Sequence, residues 1–176
     1  MSNPFSIFAK DIKLIAMDFD GIFTDGVIYL DSNGNQMKKF DVKDGMGIKL
    51  LQNHGLNIAL ISGSTNDIIN HRANSLNIKI ISKGIENKLI ELNKIQEKLE
   101  IKPQQTIFLG DDINDLLVLP IVKMFLSPSN AHAACLDNAQ WIGKCKGGEG
   151  FIREFTDLFL SALNVNTYLP FATANN

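Results

Sequence analysis

The chain has 176 residues, a length that fits one ordinary domain with a substantial core. Its composition is globular, with 45% hydrophobic, 20% charged and 8% aromatic residues, which excludes a disordered or fibrous chain. The formal net charge of -2 gives no electrostatic reason to expect nucleic acid or an anionic membrane as a partner.

Cysteine usage and hydropathy favour a cytoplasmic protein. Cys135 and Cys145 form neither a CxxC pair nor part of a metal cluster, which favours two reduced thiols. The segment MSNPFSIFAKDIK lacks the basic start and long apolar stretch of a signal peptide. No apolar run approaches the roughly 18 residues of a membrane-spanning helix, so no membrane contact is expected.

The first third of the chain predicts a strand, a hairpin and a helix. The apolar run at residues 12–17 predicts a buried strand that ends just before Asp18. Residues 27–42 predict a β-hairpin, because an Asn-Gly turn separates two strand-like runs. Residues 44–54 have helical spacing, and Gly55 is a typical helix stop.

Strands and helices then alternate. Residues 56–62 and 106–109 predict buried apolar strands, and residues 78–82 predict a shorter one. Helices are predicted at residues 66–76 and 87–99. This alternation predicts an α/β fold, a doubly wound parallel sheet covered on both faces, in a single domain over residues 1–176. The tail at residues 164–176 has weak periodicity and is expected to be extended or mobile.

Acidic side chains follow two of the predicted buried strands. Asp18 and Asp20 stand two residues apart in an extended segment, so both carboxylates can face one crevice. The segment GDDIND, at residues 110–115, supplies further acids after another strand. So many carboxylates at one sheet edge indicate a hard divalent cation, Mg²⁺ above all. Taken alone, either acid pair could instead be an Asp-rich turn or a helix cap.

Two further polar residues occupy suitable positions in this series. Ser62 ends a predicted strand and could donate a hydrogen bond to a phosphoryl oxygen. Lys88 begins a predicted helix and could offset negative charge at a nucleophilic carboxylate. Taken singly, each is more typical of an ordinary cap or surface residue, and it is their placement in the series that makes them candidates.

The sequence resembles the haloacid dehalogenase-like superfamily of phosphatases. The four signatures appear in order as DFDGIFTDG, ISGS, the lysine of ENKL, and GDDIND, within a resemblance that covers residues 12–160. The resemblance implies that Asp18 is the nucleophile and Asp20 the general acid and base. It also implies that Mg²⁺ is held by the Asp18 carboxylate, the Asp20 main-chain carbonyl and Asp111.

The same resemblance assigns the remaining residues of the signatures. It implies that Ser62 and Lys88 hold the phosphoryl group. Asp112 and Asp115 would support the metal and the lysine. An acid at Asp20 argues for phosphate chemistry, because the dehalogenases of the superfamily lack an acid at that position.

The spacing of the signatures leaves no room for a cap domain. The chain is similar to the capless branch typified by 3-deoxy-D-manno-octulosonate 8-phosphate phosphatase, both in KKFDVKDGMGIKLLQNHGLNIALISG and in KGGEGFIREF. In that family a hairpin joins neighbouring subunits into a homotetramer and helps to roof an adjacent active site. The resemblance implies the same assembly role for residues 27–40, although a hairpin that merely edges the sheet is the alternative.

The substrate implied by this branch is a small phosphorylated sugar acid, the 8-phosphate of 3-deoxy-D-manno-octulosonate. Ser64 and Glu149 stand where the branch usually has basic residues, which are the simple way to hold a carboxylate. The candidate substrate residues are Arg72, Gly148 and Glu149. A nine-carbon sialic-type sugar acid phosphate, another small phosphomonoester, or a non-catalytic assembly role are the alternatives.

Overall fold

The computed structural model describes residues 3–165, so that residues 166–176 of the predicted mobile tail lie outside the described residues. The strands in chain order are β1 (Leu14–Met17), β2 (Tyr29–Leu30), β3 (Gln36–Met37), β4 (Asn57–Ile61), β5 (Ile80–Ser82), β6 (Thr106–Leu109), β7 (Met124–Ser127) and β8 (Trp141–Ile142). The α-helices are α1 (Val42–Asn53), α2 (Ile68–Ser75), α3 (Lys88–Leu99), α4 (Ala133–Asn138) and α5 (Phe151–Ala162). Short 3₁₀ segments cover Ala9–Asp11, Pro103–Gln105 and Ile113–Ile121.

Six of the strands form one parallel sheet in the order β5-β4-β1-β6-β7-β8. All four residues of β1, of β6 and of β7 are buried, as expected for central strands of a parallel sheet that is covered on both faces. The predicted doubly wound α/β fold is confirmed. Within residues 3–165, no insertion large enough to form a cap domain interrupts it.

The sheet separates two hydrophobic cores. Side chains of β1 alternate between them, with Ile15 and Met17 on one face and Leu14 and Ala16 on the other. Helices α1, α2 and α5 cover the first face, while α3, α4 and the 3₁₀ segment Ile113–Ile121 cover the second. None of the helices in the described part of the chain is both long and apolar enough to cross a membrane.

The strand order makes β1 a switch point. The chain passes from β1 to β4 on one side and later returns to β6 on the other side, so β4 and β6 flank β1. Open α/β sheets form a crevice where the strand order reverses in this way, at the carboxyl ends of the strands. The acidic segments after β1 and β6 therefore meet at one edge.

The hairpin forms a separate two-stranded antiparallel sheet, β2 with β3. Its apolar side chains are exposed, namely Val27, Ile28, Tyr29, Leu30 and Met37. The strand predicted to run to residue 42 ends at Met37, and α1 begins at Val42 rather than at residue 44. The reason is local: the Asp41 side chain accepts a hydrogen bond from the Lys43 N–H at 2.6 Å and so caps the helix early.

Candidate active site

A pocket of about 290 Å³ lies at the carboxyl edge of the sheet. It is lined by Asp18, Asp20, Gly21, Gly26, Ser62, Gly63, Ser64, Asp111, Asp112 and Asn114. These residues come from the segments that follow β1, β4 and β6, because the parallel topology directs all three strand ends to one side. The structure thus brings together most of the residues that the sequence analysis singled out.

Asp18 is fixed at the end of β1 by the sheet itself. Its backbone N–H donates to the Leu109 carbonyl at 3.0 Å, which continues the pairing of β1 with β6. Asp20 lies nearer the pocket mouth, where its Oδ1 accepts hydrogen bonds from the Thr24 hydroxyl and the Lys38 ammonium. Both carboxylates line the same pocket, and the Asp20 side chain is the more exposed of the two, at 35% against 11% for Asp18.

Lys88 neutralises part of the acidic cluster from its buried side. Its side chain is fully buried, and its Nζ lies 2.8 Å from Asp18 Oδ1 and 2.5 Å from Asp115 Oδ1. Lys88 is held there because Asn87 caps α3, accepting a hydrogen bond from the Ile90 N–H at 3.1 Å. A buried ammonium between two carboxylates satisfies charges that would be costly alone.

Asp115 shapes the loop that carries the other acids. Its Oδ2 accepts hydrogen bonds from the backbone N–H groups of Asp111 at 3.0 Å and Asp112 at 3.3 Å. With Oδ1 on Lys88, both of its oxygens are already engaged, so Asp115 supports the site rather than offering a free ligand atom. Gly110 allows this close approach, since a Cβ there would lie 2.6 Å from the Asp115 Cβ.

The carboxylates of the site have raised pKa values. Burial raises the pKa of Asp18 to about 7, with the charge of Asp115 adding to the increase and Lys88 opposing it. Burial also raises the pKa of Asp111 to about 8, and the nearby carboxylates of Asp18 and Asp115 add to it. Burial lowers the pKa of Lys88, but the two carboxylates reverse this and hold it above its ordinary value. Burial and the neighbouring acids therefore disfavour the charged forms of Asp18 and Asp111, and Lys88 offsets this only in part.

The donor set fits a hard divalent cation. Carboxylate oxygens of Asp18, Asp111 and Asp115 lie within 4.8 Å of one another. Asp111 Oδ1 is buried and has no hydrogen-bond partner among the described residues. A buried oxygen of this kind is costly unless it is bound, and oxygen ligands are what Mg²⁺ prefers. Since Asp115 is engaged elsewhere, Asp18 and Asp111 are the side chains that could ligate such an ion.

The second signature lies opposite the acids, at the end of β4. The Ser62 N–H donates to the Ser82 carbonyl at 2.9 Å, which anchors the residue to β5. Its hydroxyl oxygen accepts from the Ser64 N–H at 3.2 Å. The Ser62 hydroxyl proton therefore remains available to a ligand in the pocket.

The candidate substrate residues are not among those that line this pocket. The Arg72 guanidinium donates to the Asp41 carbonyl at 3.0 Å and stacks on the Phe40 ring at 5.1 Å from its centroid. The Gly148 N–H donates to the Ile22 carbonyl at 3.0 Å, so its loop packs against the segment after Asp20. The Glu149 carboxylate pairs with Lys39 at 3.1 Å. Their assignment to the substrate stays a prediction.

Lys38 is the residue at this site that the sequence analysis did not single out. It follows β3, stands outside every signature segment, and reaches Asp20 across the fold. The run KKFDVKDG that resembles the capless branch contains Lys38, but nothing in it distinguishes Lys38 from neighbouring Lys39, which has the same chemistry and is exposed.

The chain matches known proteins along most of its length. Residues 57–154 match the family model of the haloacid dehalogenase-like hydrolases. The 3-deoxy-D-manno-octulosonate 8-phosphate phosphatase of Yersinia pestis is 34% identical over 154 residues, which cover 88% of this chain and 82% of that protein.

Solved structures agree with these matches. A 3-deoxy-D-manno-octulosonate 8-phosphate phosphatase from Moraxella catarrhalis, in complex with magnesium ion, phosphate ion and KDO, is similar with a TM-score of 0.91 and 35% identity, covering 98% of this chain and 99% of that chain. The cobalt-bound deoxy-D-mannose-octulosonate 8-phosphate phosphatase of Haemophilus influenzae has a TM-score of 0.87 and 28% identity, covering 94% of this chain and 99% of that chain.

Proposed function

This chain belongs to the haloacid dehalogenase-like hydrolases, and we propose that it is a Mg²⁺-dependent phosphatase of 3-deoxy-D-manno-octulosonate 8-phosphate. The proposed reaction passes through an aspartyl-phosphate on Asp18. The observation that carries the proposal is the buried contact of Lys88 with Asp18, 2.8 Å long, beside a pocket that Asp18 and Asp20 both line. A nucleophilic carboxylate beside a second carboxyl group is the arrangement that this chemistry needs.

Two successive displacements at phosphorus account for the roles of the acids. In the first, an Asp18 oxygen attacks phosphorus, the bond from phosphorus to the sugar oxygen breaks, and Asp20 gives that oxygen its proton. In the second, Asp20 takes a proton from water as the water oxygen attacks phosphorus. Inorganic phosphate leaves and the Asp18 carboxylate is restored.

Lys88 and Ser62 are proposed to hold the phosphoryl group. The Lys88 ammonium lies beside the attacking carboxylate and can offset charge on a phosphoryl oxygen there. The Ser62 hydroxyl can donate a hydrogen bond to another such oxygen, since its own oxygen already accepts from the Ser64 N–H. Asp112 and Asp115 support the loop, the first by capping Ile113 at 2.7 Å.

Mg²⁺ would be held by the Asp18 carboxylate, the Asp20 carbonyl oxygen and Asp111. When bound, it supplies positive charge that stabilises the transferring phosphoryl group. The buried Asp111 Oδ1, which has no hydrogen-bond partner within residues 3–165, and the raised pKa values of Asp18 and Asp111 support this cofactor. A relative of similar structure is described in complex with magnesium ion.

The sugar acid is the least constrained part of the proposal. The phosphatases of Yersinia pestis and Moraxella catarrhalis named above favour the octulosonate ester. Ser64 and Glu149 depart from the basic residues usual in that branch, which keeps a nine-carbon sugar acid phosphate as the second candidate. Glu149 also has its own cation in Lys39, so the loop presents an ion pair rather than a free acid.

Phosphate release with Mg²⁺ tests the proposal. The 8-phosphate of 3-deoxy-D-manno-octulosonate would be assayed beside a nine-carbon sugar acid phosphate and a simple aryl phosphate. We expect the highest kcat/KM for the octulosonate ester. Better turnover of the nine-carbon ester would keep the mechanism and change the substrate, whereas no release from any ester would refute the proposal.

We also propose a cytoplasmic homotetramer that assembles through the hairpin. The exposed apolar side chains of β2 and β3 support this, because isolated exposed apolar ribbons are an association surface. Light scattering of the purified chain beside a Leu30→Lys, Met37→Lys variant tests the assembly. A variant with the same mass as the unaltered chain would contradict the role of the hairpin.

A further inference from the structure

Residues 38–41 join β3 to α1, and side chains along this segment point alternately to the domain and to solvent. The Lys38 side chain is 2% exposed, whereas that of Lys39 is 49% exposed. The Phe40 ring packs edge-on against the Phe19 ring at 5.8 Å. A lysine that turns its charge inwards needs a partner there, and the partner is Asp20.

Asp20 is held at one oxygen only. Its Oδ1 accepts from both the Lys38 ammonium and the Thr24 hydroxyl, the latter at 3.3 Å. Within residues 3–165, its Oδ2 has no hydrogen-bond partner. Two donors on Oδ1 fix the rotation of the carboxyl group, so Oδ2 is the oxygen left for the pocket that Asp20 lines.

The position of Lys38 is itself fixed by packing. Its Nζ lies 5.9 Å from the centroid of the Phe19 ring, the residue between Asp18 and Asp20. Further along the segment, Arg72 donates to the Asp41 carbonyl at 3.0 Å. The segment is thus attached to the domain at both ends, and Lys38 has little freedom to leave Asp20.

We propose that Lys38 is a positioning residue, which holds Asp20 Oδ1 so that Oδ2 transfers the proton to the leaving oxygen. The inference rests on the proposed phosphatase function. Lys38 does not itself line the pocket, so it acts through Asp20 rather than on the substrate. The proton moves from Asp20 Oδ2 to the sugar oxygen as the phosphorus–oxygen bond breaks, and Lys38 keeps its own protons.

The dependence of rate on the leaving group tests this role. A general acid matters most for a poor leaving group and least for a good one, so the effect of Lys38 should follow the same order. We would measure kcat and KM for aryl phosphates of similar shape, from nitrophenyl to phenyl phosphate, and for an alkyl phosphate. Esters without a carboxylate keep sugar-acid recognition out of the comparison.

Lys38→Met should reduce kcat/KM, which covers the steps up to departure of the leaving group, by about 10- to 100-fold for the alkyl ester, a part of the roughly 10²- to 10⁴-fold that general acids supply. For nitrophenyl phosphate kcat/KM should fall less than about 3-fold. Lys38→Arg should show a smaller loss than Lys38→Met, because a guanidinium can also donate to Asp20 Oδ1.

Lys39→Met is the matched control, since it removes the same charge from the same segment without contacting Asp20. It should change kcat/KM for all the esters by one common factor. The dependence of kcat/KM on the leaving group should stay as in the unaltered chain. If Lys38→Met also changed kcat/KM by one common factor for all the esters, with thermal unfolding unchanged, the inference would be overturned. Failure of the unaltered chain on these esters and on the 8-phosphate of 3-deoxy-D-manno-octulosonate would instead count against the proposed function.

Discussion

The Lys88 ammonium lies 2.8 Å from the Asp18 carboxylate, at a position from which solvent is fully excluded. Lys88 starts α3 on one face of the sheet, while Asp18 directly follows β1, a central strand of the sheet. The contact therefore joins a helix to the central strand through charge rather than through apolar packing. Asp115 completes it at 2.5 Å, so one cation serves two buried acids.

Lys88→Met should lower the free energy of unfolding by about 3–5 kcal/mol at pH 8, because two buried carboxylates lose their counter-ion. Urea denaturation of the metal-free chain measures this. Lys94→Met is the control on the same helix, where the lysine side chain is 66% exposed, and should stay within about 0.5 kcal/mol. Equal losses for the two variants would mean that the ion network does not stabilise the fold.

Asp18→Asn should reduce phosphate release to the background rate, since the amide cannot form the proposed covalent intermediate. The fold should persist, because Asp115 still pairs with Lys88. Circular dichroism would verify the fold beside the assay. Asp67→Asn, at an exposed acid paired with Lys83, is the control and should keep full activity. Turnover by Asp18→Asn would refute the mechanism.

Mg²⁺ should stabilise the folded chain, because the proposed ligands come together only on folding. At 100 times the dissociation constant the gain should be about 2.7 kcal/mol, read as a rise in the melting temperature that chelation by EDTA reverses. At the same Mg²⁺ concentration Asp111→Asn should lose most of this gain, because a neutral amide replaces a carboxylate whose buried Oδ1 has no hydrogen-bond partner among the described residues. The exposed Asp137→Asn should keep it. If Mg²⁺ raised the melting temperature of Asp111→Asn as much as that of the unaltered chain, Asp111 would be excluded as a ligand.

Asp44 should make stability depend on pH. Burial raises the pKa of Asp44 to about 6 from 3.8, although the backbone N–H groups of Arg153 and Gly150 donate to it at 2.9 Å and 3.2 Å. Between these values the folded chain binds a proton that the unfolded chain releases. The Asp44 contribution is therefore complete below the unfolded value and is lost as pH rises through about 6.

Relative to Asp44→Asn, the unaltered chain should lose about 1.4 kcal/mol of unfolding free energy per pH unit in this range, and about 3 kcal/mol in all. Urea denaturation of both chains from pH 4 to pH 7 measures the difference, and the comparison cancels the other titrating groups. The opposite slope would mean that the two N–H donors at the start of α5 outweigh burial and favour the charged carboxylate.

The periodicity of the sequence was sufficient for the sheet and its adjoining helices as far as Leu109. The apolar runs that became β1, β4 and β6 are long enough to identify, and their polar ends located the pocket. The predicted ends of the elements differ from the observed ones where short-range contacts decide them. At Asp41, for example, the side-chain cap starts α1 two residues before the predicted position. No element was assigned beyond Leu109, although β7, β8, α4 and α5 follow there.

By itself, the sequence determined which chemistry the chain carries: two acids after β1, a serine after β4, a lysine before α3 and acids after β6. These follow from residue types placed at the ends of periodic segments. Only the tertiary structure decided that Lys38 reaches Asp20 while Lys39 pairs with Glu149. The physical reason is that long-range ion pairs depend on which way a side chain faces once the segment is packed, and adjacent lysines are chemically alike until the fold buries one of them.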